Sequence, residues 1–183
     1  MTSDGHPSGT DRVAEAVDAL GLPSDAVIVN VQGDEPLMPP ALIRQVAMSL
    51  VASKNTSMAT LCAPICSEEE YVNPNIVKVI RNAHNQALYF SRSPIPAFRD
   101  GGILLQHVFR HIGLYAYRKD FLVKMVAWPV CALEAVEALE QLRVLWSGYA
   151  IQVDEACVAP RQDINTLDDL KQAEAWLSKE ISL

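Results

Sequence analysis

The sequence has few of the features that mark a membrane-spanning, secreted or nucleic-acid-binding protein. No apolar run in its 183 residues approaches the roughly 18 residues needed to cross a bilayer, and the first residues lack the basic and apolar segments of a signal peptide. The four cysteines form no Cys-x-x-Cys pair, which argues against a zinc site or a disulfide framework. The formal net charge of −7 argues against a nucleic-acid-binding face. We therefore expect a cytoplasmic protein with no membrane or nucleic-acid partner.

The composition is that of an ordinary α/β domain. Half of the residues are hydrophobic and 7% are aromatic. The length fits one domain over residues 1–183 that buries a substantial core. Cys62 and Cys66 lie in an apolar run, so we expect both to be small core residues.

Hydrophobic periodicity and turn residues predict an alternation of strands and helices. Helices are predicted over 10–20, 41–52, 119–127, 131–146 and 166–180, and strands over 26–31, 57–66, 75–80, 86–90, 109–117 and 149–158. This alternation predicts a mostly parallel sheet. The strands between 75 and 117 are the expected place for antiparallel pairing and for dimer contact, and residues 91–107 for a long functional loop.

The most informative segment runs from Val27 to Pro36. A β-branched strand ends abruptly in Gly33-Asp34-Glu35-Pro36, which puts two carboxylates at its carboxyl-terminal tip. Ligands bind at that edge in open α/β sheets, and an acidic group there can seat a hard cation that carries a phosphorylated substrate. Taken alone, such a turn is more often only a solvated connection after a core strand.

Five ordered motifs give this segment its context. They are His6-Pro7-Ser8-Gly9-Thr10-Asp11-Arg12, Asn73-Pro74-Asn75-Ile76-Val77-Lys78-Val79-Ile80, Ala87-Leu88-Tyr89-Phe90-Ser91-Arg92-Ser93-Pro94-Ile95-Pro96, Arg110-His111-Ile112-Gly113-Leu114-Tyr115-Ala116-Tyr117-Arg118 and Leu139-Glu140-Gln141-Leu142-Arg143-Val144-Leu145. In order and spacing, from Met1 to about Leu170, they closely resemble the 3-deoxy-manno-octulosonate cytidylyltransferases of bacterial lipopolysaccharide synthesis. The resemblance implies a Rossmann-like nucleotidyltransferase fold, with a mostly parallel sheet and a smaller antiparallel subregion for dimerisation.

The resemblance also implies a reaction and a set of site residues. The anomeric hydroxyl of 3-deoxy-D-manno-octulosonate (Kdo) attacks the α-phosphorus of CTP, giving CMP-Kdo and pyrophosphate with Mg²⁺ and, as the resemblance suggests, in a homodimer. Catalytic roles fall to Asp34, Gln32 and Arg92. Nucleotide binding falls to Ser8, Gly9, Thr10, Arg12 and Gly33, and sugar binding to Arg92, His111, Tyr115, Glu140 and Gln141. The implied metal ligand is Asp34, joined by Asn165 or Asp163.

Residue patterns alone leave blander alternatives for several of these positions. Alternation places His111, Gly113 and Tyr115 on one strand face, where a lone histidine is more often a core residue. Ser8 and Thr10 serve equally well as helix caps. In the predicted helix 131–146, Glu134, Glu137 and Gln141 share a stripe that would suit sugar hydroxyls but is commonly solvated. The positions expected to face the core are Cys131, Ala135, Ala138, Leu142 and Leu145.

Two departures from the family pattern bear on activity. Asn165 stands where the family has a metal-binding aspartate, and the family's initial strand, basic loop and helix have no counterpart. We therefore expect weak CTP binding and poor solubility or partner dependence for this sequence on its own. Three alternatives stay open: an active enzyme whose first segment is encoded upstream, an inactive homologue that binds sugar or a full-length partner, and a cytidylyltransferase for another acid sugar.

Overall fold

The computed structural model describes residues 2–6, 8–102 and 104–160, and beyond these Ile164, Leu167, Leu170, Lys171, residues 173–175 and Ser178. The α-helices are α1 (Gly9–Ala19), α2 (Pro40–Ala52), α3 (Glu68–Val72), α4 (Lys119–Val126), α5 (Ala132–Glu137) and α6 (Leu142–Trp146). The strands are β1 (Val27–Asn30), β2 (Met58–Pro64), β3 (Lys78–Arg81), β4 (Ala87–Ser91), β5 (Phe109–Arg118) and β6 (Ile151–Glu155), and a 3₁₀ turn covers Leu105–His107. None of the helices in the described ranges has the length and apolar character to cross a membrane.

The predicted ends of the first helix are confirmed and have local causes. The Ser8 hydroxyl caps α1 by accepting a hydrogen bond from the backbone N–H of Asp11 at 3.2 Å. Asp11 also provides an acidic side chain in the first turn, where it favours the helix dipole. Gly21 follows the helix with φ +61°, a conformation that strains any residue with a Cβ. Val17 of the helix is buried, whereas Leu20 at its carboxyl end is 70% exposed.

The described strands form one six-stranded sheet in the order β4-β3-β5-β2-β6, with β1 also paired to β5. Since β1, β2 and β3 are each antiparallel to β5, and β6 is parallel to β2, four strands share one direction, as the expected mostly parallel sheet requires. The hydrogen-bonded pairs differ from that expectation, because β5 lies between strands of the opposite direction and only β2–β6 pairs in parallel. The antiparallel pairing predicted between 75 and 117 is confirmed for β3, β4 and β5.

A bulge interrupts the pairing of β2 with β5. Thr60 pairs with Tyr115, but the next residue, Leu61, pairs with Ile112, so Gly113 and Leu114 have no partner in β2. The fully buried Thr60 hydroxyl lies 3.0 Å from the carbonyl oxygen of Ile112 and 2.9 Å from that of Leu114. The hydroxyl therefore donates to backbone carbonyls beside the break in the pairing of β2 with β5.

Helices cover both faces of the sheet and divide the core in two. On one face, Leu42, Val46 and Leu50 of α2 pack on alternate residues of β2 and β5. On the other, α1, α4 and α6 contribute a larger cluster that includes Phe121 and Leu142. Of the two cysteines expected in the core, Cys62 is buried, whereas Cys66 is exposed beyond the end of β2.

The predicted helix 131–146 is wrong, because the chain breaks it at Ala138. This residue has φ 51° and ψ 49°, so it ends α5 and opens a turn that leads to α6. The Arg92 guanidinium takes up the freed carbonyls, with Nε 2.7 Å from the oxygen of Glu137 and Nη2 3.4 Å from that of Ala138. Of the residues expected in the core, Ala135 and Ala138 are therefore exposed.

The break makes a stability prediction. Replacing Ala138 with glycine should stabilise the protein by about 1 kcal/mol, because a left-handed conformation strains alanine but not glycine. The matched change Ala135→Gly, inside α5, should destabilise by about 0.5–1 kcal/mol. Urea unfolding of both variants measures the difference, and equal destabilisation by the two changes would refute the left-handed turn.

Candidate functional site

The candidate site consists of two adjoining cavities, and the larger of the two lies where β1 and β3 pair with different parts of β5. Along one side of β5, β3 pairs at Phe109 and Arg110, whereas β1 pairs from Tyr115 to Arg118. Between them lies a cavity of about 260 Å³. Its lining residues are Gln32, Asp34, Glu35, Asn75, Ile76, Val77, Arg110, His111 and Gly113.

A second cavity of about 100 Å³ adjoins the first at Gln32, which lines both. Its other lining residues are Thr10, Met58, Tyr115, Tyr117, Met125, Glu140 and Gln141. The amino end of α1 closes on this junction, since a Cβ built on Gly9 lies 3.8 Å from the Gln32 Oε1. The structure thus brings together Thr10, predicted for the nucleotide, and Tyr115, Glu140 and Gln141, predicted for the sugar.

The acidic turn after β1 separates its two carboxylates. Asp34 is exposed at the larger cavity, whereas Glu35 is buried, and a Cβ on Gly113 would lie 3.4 Å from the Glu35 Oε1. The Ile164 N–H donates to the Asp34 carbonyl at 2.8 Å. Asp163 and Asn165, its neighbours in sequence, lie outside the described residues. Within the described part of the chain, no group of three or more His, Cys, Asp or Glu side chains is arranged for a metal.

His111 is held among aromatic rings with one nitrogen engaged. Its ring lies edge-on to Phe90, with centroids 5.1 Å apart, and 5.3 Å from the ring of Tyr115. Nε2 is 2.9 Å from the Thr60 hydroxyl. Burial lowers the pKa of His111 to about 3, so the imidazole is neutral near pH 7. The predicted shared face of His111 and Tyr115 is confirmed.

Tyr115 remains a protonated hydroxyl group in this environment. Burial raises the pKa of Tyr115, and the charges of Glu140 and Glu35 raise it further. Tyr117 has a pKa raised well above its usual value, chiefly by burial. Both phenols are therefore available as hydrogen-bond donors.

Arg92 is engaged with the backbone and lines neither cavity. Besides its two contacts at the end of α5, its Nη1 is 3.1 Å from the Pro74 carbonyl. Its backbone N–H donates to Glu137 at 2.9 Å, and its own carbonyl accepts from Lys78 at 2.7 Å. Arg92 thus ties the wall of the larger cavity to the turn that carries Glu140.

Lys78 supports the same wall from inside. Its side chain is fully buried, and its ammonium also donates to the carbonyls of Asn73 at 2.9 Å and Ile76 at 2.6 Å. Burial lowers the pKa of Lys78, partly offset by the charge of Glu137. These bonds fix the segment that presents Asn75, Ile76 and Val77 to the cavity.

The proposed stripe of Glu134, Glu137 and Gln141 does not form. Glu134 makes a buried, two-pronged ion pair with Arg143, and Glu137 accepts from the Ser91 hydroxyl at 2.6 Å. Gln141, 4% exposed, alone reaches the smaller cavity, because the turn at Ala138 rotates it away from α5.

The remaining residues predicted for the nucleotide lie beside the cavities without lining them. Ser8 is spent on the helix cap, and its hydroxyl also donates to the Asp11 carboxylate at 2.5 Å. The exposed Arg12 contacts Thr2 at 2.8 Å and the Ser3 carbonyl at 3.1 Å. Gly33 is exposed in the turn and faces open space.

Sequence reasoning assigned no specific role to three of the following four residues, and it counted Arg110 only among the basic groups that could offset the charge of the substrates. Arg110 lines the larger cavity, and its guanidinium makes no hydrogen bond or ion pair with another described residue. Asn75 and the buried Glu35 line the same cavity, and Thr60 lies behind it. A hydroxyl at Thr60 within an otherwise apolar strand was the available signal for the last of these.

Comparisons with known proteins agree on one family. A family described as Cytidylyltransferase matches residues 1–164. A 3-deoxy-manno-octulosonate cytidylyltransferase of Legionella pneumophila (strain Corby) is 56% identical over 96% of this chain and 70% of the relative. One from Vibrio vulnificus (strain YJ016) is 52% identical over 93% of this chain and 70% of the relative.

Solved structures give the same fold. A CMP:2-keto-3-deoxy-manno-octonic acid synthetase complexed with CTP superposes with a TM-score of 0.87 at 35% identity, covering 98% of this chain and 72% of that one. A 4-diphosphocytidyl-2C-methyl-D-erythritol synthase from Anaerococcus prevotii has a TM-score of 0.59 at 14% identity, covering 95% of this chain and 68% of that one. The latter likeness shows the fold alone.

The lowered pKa of His111 predicts a pH dependence of stability. As the pH falls through about 6.5 the unfolded chain protonates His111, but the folded protein does not until about pH 3. Stability should therefore fall between pH 7 and pH 5, with His111 accounting for about 2 kcal/mol. Urea unfolding should show this loss reduced in His111→Gln and unchanged in His84→Gln, an exposed control. An equal loss in all three proteins would contradict a His111 that stays neutral in the folded protein.

Proposed function

The chain belongs to the cytidylyltransferase family, as its five motifs predict, and we propose that it transfers CMP from CTP to Kdo. The observation that carries the proposal is the pair of cavities joined at Gln32. It sets an acidic turn beside a polar pocket of the kind that a polyhydroxylated acid needs. The named activity of the relatives and the CTP in the similar structure support the two substrates.

The smaller cavity suits the hydroxyl groups of the sugar. Glu140 offers acceptor oxygens, Tyr115 a protonated hydroxyl, and Gln141 an amide that both donates and accepts. Because Gln141 is almost fully buried, its amide has little water to lose. A sugar hydroxyl can therefore bond to it with a small desolvation cost. His111 extends this polar surface into the larger cavity.

The acidic turn suits a hard divalent cation, for which we propose Mg²⁺. Asp34 provides an exposed carboxylate and Gln32 an amide oxygen, the ligand types that Mg²⁺ accepts together with water and phosphate oxygens. We propose that Asp163 or Asn165 completes this set, since both adjoin Ile164, which bonds to Asp34. When bound, the ion neutralises phosphate charge and lowers the pKa of the attacking hydroxyl.

The reaction requires positioning more than covalent participation by the protein. The anomeric oxygen of Kdo forms a bond to the α-phosphorus while the bond from that phosphorus to the pyrophosphate oxygen breaks. Gln32, which borders both cavities, is placed to orient the sugar toward the nucleotide. We propose that the nucleotide binds at the amino end of α1, where Ser8, Gly9, Thr10 and Arg12, together with Gly33, are its proposed contacts.

We also propose a cytoplasmic homodimer. β4 is an edge strand of the sheet, and its Leu88 is 58% exposed. Edge strands with exposed apolar side chains are protected in many proteins by pairing with another chain. A second copy on β4 would supply this cover.

Pyrophosphate release with CTP, Kdo and Mg²⁺ tests the function. Asp34→Ala should lower kcat/KM by about 100-fold or more, because the cation loses its carboxylate, while the affinity for Kdo alone changes less than about threefold. Asp25→Ala removes an exposed carboxylate before β1 and serves as the matched control. No turnover by the unsubstituted protein, or full turnover by Asp34→Ala, would contradict the proposal.

Substitutions can decide whether Arg110 or Arg92 binds the sugar carboxylate. Arg110 faces the larger cavity without a protein partner among the described residues, so Arg110→Met should raise the KM for Kdo by about tenfold or more. Arg92→Met removes three contacts to carbonyls and should mainly lower the free energy of unfolding. A raised KM in Arg92→Met with unchanged stability would instead support the sugar contact implied for Arg92 by the family resemblance.

A further inference from the structure

We infer that Thr60 is a positioning residue that holds His111 as its Nε2–H tautomer, so that Nδ1 meets the sugar as a hydrogen-bond acceptor. The ligand part of this inference rests on the proposed function. The part that concerns Thr60 and His111 depends only on the geometry of β2 and β5.

The Thr60 hydroxyl has a single proton to donate. Three atoms surround its oxygen within 3.0 Å: the carbonyl oxygens of Ile112 and Leu114, and the Nε2 of His111. Carbonyl oxygens only accept. If the hydroxyl donated to Nε2, its lone pairs would face two carbonyl oxygens with no hydrogen between them. The proton therefore points to the carbonyls, and the oxygen accepts from Nε2–H.

This assignment determines the other side of the ring. A neutral imidazole carries one N–H, so an Nε2–H leaves a lone pair on Nδ1. Nδ1 has no hydrogen-bond partner among the described residues, and His111 is one of the residues that line the larger cavity. The low pKa of His111 excludes the doubly protonated ring near pH 7.

The surroundings keep the ring in this orientation. Phe90 and Tyr115 contact it from two sides, and Thr60 is fully buried behind it. The bulge makes the arrangement possible, because a regular ladder would pair the Ile112 and Leu114 carbonyls or turn them away from Thr60. The Thr60 hydroxyl thus bonds to the carbonyls at the bulge and also orients the His111 ring.

The consequence is a preference for the kind of ligand group at this point. A lone pair on Nδ1 accepts from a sugar hydroxyl, whereas it repels a carboxylate or phosphate oxygen. A His111 protonated on both nitrogens, or on Nδ1, would attract those anions instead. Thr60 therefore makes His111 selective for hydroxyl groups over carboxylate and phosphate oxygens.

NMR of protein with ¹⁵N-labelled histidine tests the tautomer without any assay of activity. Long-range ¹⁵N–¹H correlation at pH 7 should show His111 predominantly as the Nε2–H form. Addition of Kdo should shift the Nδ1 signal while the tautomer is kept. A predominant Nδ1–H form or an imidazolium ring would overturn the inference.

Substitutions test the role of Thr60. Thr60→Val, which keeps the shape and removes the hydroxyl, should mix the tautomers and raise the KM for Kdo about tenfold, with kcat and the KM for CTP within about twofold. Thr60→Ser should restore both readouts. Thr56→Val removes another buried hydroxyl, bonded to Ser53 at 2.7 Å, and should leave the tautomer unchanged.

The outcomes separate the two proposals. An unchanged tautomer in Thr60→Val would overturn the role of Thr60, and so would a mixture of tautomers in Thr60→Ser. If Thr60→Val fails to fold, Thr60→Ser and the unsubstituted protein still decide by their tautomers. The Nε2–H form in a protein that neither binds nor converts Kdo would support Thr60's role and contradict the proposed function.

Discussion

The bulge in β5 is the constraint on which the site depends. Two residues, Gly113 and Leu114, have no partner in β2, and the buried Thr60 hydroxyl compensates by serving the neighbouring carbonyls. On the opposite side of β5, Gly113 lies against Glu35 in the gap between the pairings with β3 and β1. The larger cavity opens in this gap. The bulge therefore lies next to the candidate site, as bulges beside functional sites often do.

Charged side chains hold the two cavity walls at a fixed separation. The buried Lys78 ammonium donates to three backbone carbonyls, one of which belongs to Arg92. The Arg92 guanidinium in turn donates to the Glu137 carbonyl at the end of α5. Glu137 receives the Arg92 N–H and carries a charge that offsets part of the burial cost of Lys78. Because these groups bond mainly to the backbone, they fix positions in the chain.

The sequence was sufficient for what local chemistry decides and insufficient for what tertiary contacts decide. The strand before Asp34 and the helix capped by Ser8 follow from short-range patterns, so their predicted bounds agree with the structure to within one or two residues. The break at Ala138 was missed because alanine favours helix, and the contact that offsets its strain comes from Arg92, far away in sequence. Thr60 was missed for the same reason: its partners lie more than 50 residues away.

The charges around the cavities favour one orientation of an acidic sugar. A protein of net charge −7 must meet an anionic ligand locally, and Arg110 is a cation at the larger cavity, near Asp34. At the smaller cavity, Glu140 is a proposed acceptor for sugar hydroxyls, and its charge would repel a carboxylate. In Kdo the carboxylate is bonded to the anomeric carbon, so in the proposed binding mode its attraction to Arg110 would also bring the attacking hydroxyl toward Asp34. The remaining hydroxyls would then extend into the smaller cavity. In this proposal, repulsion of the carboxylate at one end and its attraction at the other present the reacting atom without an excess of positive charge.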